Sequence, residues 1–344
     1  MSGSCSWPPL PVSAALSRCV WDTLASAMTH VVSFINLKGG VAKTTTLVQL
    51  AETLAFIRGK RVLVIDLDPQ TNATIALIGE TRWERVDEAG QTLAQLFLDK
   101  IHGTQVFELE RAILHGVSNL NLIHIPDDVT LGPDVRYPRI DLLPSSIRLI
   151  EAQDRMNDIA LRSHHTISPM DVIRQAVSGV FGRYDYVLID CPPNLGYITQ
   201  NGLEVSDFYL IPTIPDRLST HGIPQIVKTI SELRRMRRLS IRCLGALVTK
   251  YQVASSIHKR GLETLPDLLW RAFEQSGEPV APLFDVRIPQ ANATAEAMDW
   301  TNSPANFKEK YGRSRSGSQQ MFELPILLAD EFMARLEAAT ALTS

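Results

Sequence analysis

Cysteine is scarce in this sequence. Its 344 residues include four, at Cys5, Cys19, Cys191 and Cys243, and no two form a CxxC pair. That spacing argues against a disulfide scaffold and a self-contained zinc site, and it fits a reducing cytoplasm. Long apolar runs are missing too. No stretch approaches the roughly 18 uninterrupted apolar residues of a membrane-spanning helix. Nor is positive charge in excess, since the formal net charge is -3. The whole chain is therefore not a basic coat for nucleic acid, and any DNA contact has to come from a local patch. The chain has no internal repeat and no low-complexity tract. What is there is 45% hydrophobic and 21% charged, with 19 glycines and 20 prolines. That is the make-up of a folded globular protein, long enough for one large α/β domain or two smaller ones.

Residues 1–28 carry a single basic side chain, Arg18, and no charged segment precedes their apolar part. A secretory signal is not expected. Val12, Leu16, Val20 and Leu24 fall four apart, a spacing that permits a short amphipathic helix. The plainer reading is a dispensable extension or an over-extended gene start, with Met28 as initiator. A single domain is expected over 29–344. Short runs rich in Val and Ile read as strands buried on both faces: Val31–Asn36, Val62–Asp66, Leu120–His124, Tyr186–Asp190, Phe208–Thr213 and Cys243–Thr249. Thr45–Arg58, Ile223–Arg238 and Leu324–Ala339 read as helices. Strands alternating with helices predict a mostly parallel, twisted α/β sheet with helices on both faces. Residues 80–183 are less regular and read as a helical and loop excursion of the same domain. The polar stretch Thr301–Gln320 reads as a loop.

The sharpest local signal is Asn36-Leu37-Lys38-Gly39-Gly40-Val41-Ala42-Lys43-Thr44-Thr45-Thr46. It follows a predicted strand and opens a predicted helix, the setting of a phosphate loop. Gly39 and Gly40 let the backbone approach an anion with its N–H groups turned inward. The helix start adds its positive end. Lys43 would reach the β- and γ-phosphates, and the Thr44 hydroxyl would ligate Mg²⁺. The pattern GxxxxGK[ST] is not met, because Leu37 and Ala42 stand where its first two glycines belong. Its replacement, KGGxxK[ST], brings an additional lysine, Lys38. Asp190 ends an apolar strand, where it either holds a Mg²⁺-bound water beside the phosphates or caps the turn Cys191-Pro192-Pro193. Asp66 and Asp68 end a neighbouring strand.

With these motifs in view, the chain resembles the ParA/MinD family of deviant-Walker P-loop ATPases. KGGVAKTTT (Lys38–Thr46) is similar to the deviant Walker A, although the family more often has Gly at position 42. VLVIDLDPQTNAT (Val62–Thr74) and YDYVLIDCPPNLG (Tyr184–Gly196) are similar to the second motif and the Walker B strand. Weaker matches lie at Phe208–Asp216, Gly245–Tyr251 and Leu283–Ala297, so the resemblance spans roughly residues 29–300. It implies a P-loop NTPase fold that takes ATP and Mg²⁺. Lys38 through Thr45, with Pro215 and Asp216, would contact the nucleotide; Thr44, Asp66 and Asp190 would lie at the metal; Asp68 would position the attacking water. The residue matching Lys38 reaches across a dimer in this family and acts like an arginine finger. The resemblance thus implies an ATP-dependent homodimer, catalysis through Lys38, Lys43 and Asp68, and a ParB-like partner that stimulates slow hydrolysis.

Lys228–Arg242 carries six basic residues against one acidic, Glu232. Arg234, Arg235, Arg237 and Arg238 cannot all bury. They are either a solvated helix end or a ridge for sequence-independent contact with double-stranded DNA phosphates. His258-Lys259-Arg260 and Lys308, Lys310, Arg313 and Arg315 add charge. The expected setting is cytoplasmic and nucleoid-associated, with a plasmid, a chromosome or a protein assembly as cargo. A MinD-like membrane ATPase is the second reading. It needs a basic amphipathic C-terminal helix, whereas residues 322–344 hold one basic and four acidic side chains. A small-molecule enzyme on the same scaffold, such as an amidoligase or kinase, is the third. His164-His165 reads as a surface pair, and a cysteine-held iron–sulfur cluster is not expected.

Overall fold

The computed structural model describes residues 28–120, 139–164, 166–291, 296–301, 304, 306–312 and 322–341. Among them six strands form one parallel sheet in the order β3-β2-β4-β1-β5-β6. These are β1 (His30–Phe34), β2 (Arg61–Asp66), β3 (Arg139–Leu143), β4 (Tyr186–Asp190), β5 (Phe208–Thr213) and β6 (Arg242–Val248). Side chains alternate across the sheet, and each face buries its own core. Leu63, Ile65, Val187 and Ile189 point into one, and Val62, Val64, Tyr186 and Leu188 into the other. Helices cover both faces, as parallel strands buried on two sides require.

The helix Lys43–Phe56 fills the second core with Leu47, Leu50, Ala51 and Leu54. Beside it lies the last helix, Glu323–Ala341, which buries Leu328, Phe332 and Leu336. Its apolar stripe is committed to the protein core. No helix of the described residues is long and apolar enough to cross a membrane. The helix Ile223–Arg237 packs Ile226, Val227, Ile230 and Leu233 into the first core, as its spacing predicts.

The excursion departs from expectation. Among the described residues the third strand is Arg139–Leu143, which the sequence reading did not anticipate, and the expected strand Leu120–His124 lies, apart from Leu120, outside the described residues. Leu120 lies in the small cluster with Ala297, Phe307 and Tyr311, and 121–138 lie outside the described residues. Edge strand β3 carries Arg139 and Asp141, which break the apolar run that marks a buried strand. Both still bury, because Asp141 accepts from Arg139 Nε at 2.9 Å and from the Tyr184 hydroxyl at 2.8 Å. Most of the proposed N-terminal extension, residues 1–27, lies outside the described residues, as do Arg313, Arg315 and His165. Lys310, read as surface charge, is a buried cation paired with Glu52 at 2.6 Å.

Candidate functional site

Register brings the chemistry to one end of the sheet. Asp190 pairs with Phe34 on one side and with Asp66 on the other. The carboxyl ends of β1, β2 and β4 therefore meet, where open α/β sheets bind ligands. From β1 the chain runs into the glycine loop, and Asn36 fixes the joint. Its amide nitrogen donates to Pro212 O at 2.8 Å, and its Oδ1 accepts from the Lys38 N–H at 2.9 Å. At the far end, Thr249 Oγ1 donates to Val41 O at 2.8 Å. Gly40 and Ala42 lie in the left-handed region, at φ 76° and 60°. A Cβ built on Gly39 or Gly40 would meet nothing within 4 Å, so a side chain there would project into the space an anion needs.

The loop opens onto a cavity of about 390 Å³. Gly39, Gly40, Ala42, Lys43, Thr44, Thr45 and Asp68 line it, as do Gln70, Asn72, Ile75 and Lys250. Lys43 is buried in the wall, whereas Lys38 is exposed at the mouth of the loop. Val41 is fully buried beneath. Thr44 Oγ1 donates to Asp190 Oδ2 at 2.6 Å. The second oxygen of Asp190 is buried with no hydrogen-bond partner among the described residues. Burial pushes the Asp190 carboxyl up, while the Thr44 hydroxyl and the Lys43 charge pull it down. Asp66 is raised by its own burial and then by the Asp190 charge. A hydroxyl and a buried carboxylate oxygen left unpartnered are hard oxygen donors, so this pair fits a magnesium ion.

The other predicted residues divide. Both Asp66 oxygens are taken by its own turn: Oδ1 accepts from Asp68 N–H at 3.1 Å, and Oδ2 from Thr74 N–H and Oγ1 at 2.9 and 2.7 Å. Its visible work is to shape the Asp68 turn. Pro215 and Asp216 do not line the cavity. Asp216 instead caps the short helix Arg217–Thr220 by accepting from Ser219 N–H at 2.8 Å, and Pro215 packs its carbonyl against Gly261. The four arginines split two and two. Arg234 pairs with Glu278, and Arg237 pairs with Asp171 and, at 3.0 Å, with Glu204. Arg235 and Arg238 are exposed.

Three positioning residues escape a sequence reading: Asn36, Thr249 and Ser145. Ser145 Oγ donates to Asp68 O at 2.7 Å, and its N–H donates to Thr74 Oγ1 at 3.0 Å. The edge strand thereby braces the Asp68 turn. Its sole signal is the Pro144-Ser145-Ser146 punctuation after Leu143.

Comparison with known proteins agrees with this geometry. A family model described as "AAA domain" matches residues 29–243. The sporulation initiation inhibitor protein Soj of Bacillus subtilis (strain 168) is 28% identical over 230 residues, 67% of this chain and 76% of Soj. The chromosome partitioning protein ParA of Caulobacter vibrioides (strain NA1000 / CB15N) is 28% identical over 232 residues, 67% of this chain and 73% of ParA. Among solved structures, cobyrinic acid a,c-diamide synthase from Mycobacterium smegmatis with bound ADP and magnesium is similar at 27% identity and a TM-score of 0.57. That match covers 77% of this chain and 87% of the synthase. With its deviant phosphate loop and these relatives, the chain belongs to the AAA domain family as a ParA/MinD-type P-loop ATPase.

Proposed function

We propose that this protein binds ATP with Mg²⁺, dimerises in that state and hydrolyses the nucleotide to position a cargo over the nucleoid. The cargo is most simply plasmid or chromosomal DNA. The observation that carries the reading is the Thr44–Asp190 pair, with one buried carboxylate oxygen left over beside Lys43. Thr44 and Asp190 hold the ion, directly or through its water. When bound, Mg²⁺ neutralises charge on the β- and γ-phosphates. The N–H groups of Gly39 through Thr45 cradle the phosphate chain, with Lys43 at the β- and γ-phosphates. Asp68 orients the attacking water. Lys38, exposed at the loop mouth, contacts the nucleotide of a second copy and neutralises charge that develops in hydrolysis. Dimerisation doubles the exposed Arg235 and Arg238 available to DNA phosphates. A cargo-bound, ParB-like protein accelerates hydrolysis and releases the complex. The burial of the last helix in the core favours this reading over membrane attachment.

A second reading rests on the likeness to the cobyrinic acid synthase: activation of a small carboxylic acid by ATP, followed by amide formation. Phosphate release and particle mass, measured with ATP and Mg²⁺ with and without duplex DNA or anionic liposomes, separate the possibilities. An ATP-dependent dimer that is retained on DNA is expected. A monomer that ignores DNA and consumes a small acid with ammonia would replace this proposal by the second reading.

A further inference from the structure

Asp68 is held by its backbone on both sides. Its N–H donates to Asp66 Oδ1 at 3.1 Å, and its carbonyl accepts from the Ser145 hydroxyl at 2.7 Å. Those two bonds close into a ring. The other Asp66 oxygen accepts from the Thr74 hydroxyl at 2.7 Å, and Thr74 Oγ1 in turn accepts from the Ser145 N–H at 3.0 Å. Each hydroxyl has one proton to give, and both are used inside the ring, that of Thr74 on Asp66 and that of Ser145 on Asp68. Asp66, Thr74 and Ser145 are fully buried. Peptide units are planar, so fixing the units on either side of Asp68 fixes its φ and ψ and the direction of its side chain. Its Oδ1 accepts from the Gln70 N–H at 3.0 Å, which orients the carboxylate, and the residue lines the cavity. We propose that Ser145 and Thr74 are positioning residues for hydrolysis, an inference that rests on the reading of Asp68 given above. Through this ring they hold Asp68 where it aligns the attacking water, and the excursion thereby sets the turnover rate.

The excursion grips the ring from outside. Ser145 comes just after strand β3, at the carboxyl end of the sheet. Two helices of the excursion fasten this corner. From Glu80–Glu88, the Trp83 indole N–H donates to Ser145 O at 3.1 Å. From Leu93–His102, the Leu93 N–H donates to Pro144 O at 2.9 Å. Thr74 belongs to Asn72–Ile78, the helix that leaves the Asp68 turn and meets Glu80–Glu88 at Gly79. Ser145 and Trp83 lie outside every motif that carries the family resemblance. A misplacement of about 1 Å at a reacting group can cost on the order of 100-fold in rate. The grip on the phosphates comes instead from the glycine loop, Lys43 and Thr44, so turnover and affinity should separate when the ring is broken.

The test measures phosphate release and calorimetric ATP affinity in Mg²⁺ on the full chain. It compares wild type with Ser145→Ala, Thr74→Val, Thr74→Ser and Trp83→Phe, each also in an Asp68→Ala background. Ser145→Ala and Thr74→Val should lower kcat about tenfold or more and leave ATP affinity within about twofold. Thr74→Ser keeps the hydroxyl and should recover most of the rate. Trp83→Phe keeps an aromatic ring but loses the N–H, and should lower kcat by about threefold. In Asp68→Ala, whose residual rate a single-turnover assay reads, none of these substitutions should slow hydrolysis further, because the ring acts only through Asp68. A merely loosened fold would lower ATP affinity along with kcat, or multiply its effect onto Asp68→Ala. Either result, or an unchanged kcat, would overturn the proposal. A wild type that binds no ATP would remove the nucleotide reading itself. A wild type that hydrolyses ATP while Asp68→Ala keeps the full rate would remove the role of Asp68, and that of the ring with it.

Discussion

Thr44 and Asp190 lie 146 residues apart in sequence, and the Thr44 hydroxyl donates to Asp190 Oδ2 at 2.6 Å. Strand pairing of β1 with β4 brings them together, because the loop leaving β1 turns back over the end of β4. Asp190 is fully buried with Asp66 beside it, an arrangement that costs stability until a cation joins. Asp190→Asn should therefore raise the melting temperature of the nucleotide-free protein by a few degrees while lowering ATP hydrolysis about 100-fold or more. Differential scanning fluorimetry and phosphate release check both halves. A variant that melts earlier and still hydrolyses ATP would assign Asp190 a purely structural role.

The two loop lysines should separate. Lys43 is buried in the cavity wall, so Lys43→Ala should abolish ADP and ATP binding alike. Lys38 is exposed. Lys38→Ala should leave ADP affinity within about twofold yet remove hydrolysis and ATP-dependent dimerisation. Calorimetry with ADP and light scattering with ATP distinguish them. An equal loss of ADP affinity in both variants would place Lys38 at its own subunit's nucleotide.

Ala42 holds φ 60° at the start of the helix, where glycine is free of penalty. For alanine the left-handed region costs roughly 1–2 kcal/mol, offset in part by the greater freedom of glycine in the unfolded chain. Ala42→Gly should stabilise the protein by about 0.5–1 kcal/mol. Urea unfolding measures this directly, and a lower midpoint with unchanged m-value would contradict it.

The sheet, the phosphate loop and the three aspartates were legible because apolar runs and loop spacing are local properties. What the sequence concealed is long-range pairing. Strand β3 was hidden by Arg139 and Asp141, whose charges read as surface until Tyr184 and His115 meet them. Lys310 was hidden in the same way, since nothing near it announces Glu52, 258 residues away. Asn36, Ser145 and Thr249 shape the site through single hydrogen bonds to remote backbone, for which residue type gives no advance sign. Pro215 and Asp216, which the family resemblance marks for the nucleotide, lie outside the lining of the cavity, and Asp216 caps the helix Arg217–Thr220.

Asp141 predicts a pH dependence. Burial alone would push its carboxyl up, but hydrogen bonding to His115, the Arg139 charge and the Gly116 N–H hold it below the usual carboxylate range. Its folded value is thus below its unfolded value. The stability it contributes is present above the ordinary carboxylate range and is lost as pH falls through the lower folded value. Asp141→Asn should cost about 3 kcal/mol at pH 7, because it breaks the buried ion pair with Arg139, and it should flatten the loss of stability on acidification. Urea titrations between pH 7 and about 3 test this, the range set by ordinary carboxylate values. An unchanged acid limb in the variant would show that other carboxylates, such as Asp99 and Asp171, set it.

The arginine helix separates charges paired with carboxylates from charges exposed to solvent. Arg237 faces Asp171 and Glu204, and the Glu204 side chain is 4% exposed. Removing Arg237 leaves buried Glu204 with Arg174 alone, at 4.0 Å, and should cost up to about 3 kcal/mol. Arg234 guards Glu278 in the same manner, with a smaller cost because that pair is more exposed. Arg235 and Arg238 are exposed. Their replacement should change stability by less than about 0.5 kcal/mol. If they bind DNA, Arg235→Glu with Arg238→Glu should remove retention of the ATP-bound dimer on duplex DNA, while dimerisation and ATP binding survive. The salt dependence should also flatten by about one unit of slope for every DNA phosphate that is no longer neutralised. Asp68→Ala blocks hydrolysis and holds the ATP state long enough to measure. Binding that persists in the double variant with an unchanged salt slope would move the DNA surface elsewhere, with exposed Lys228, Lys259 and Arg260 next to test.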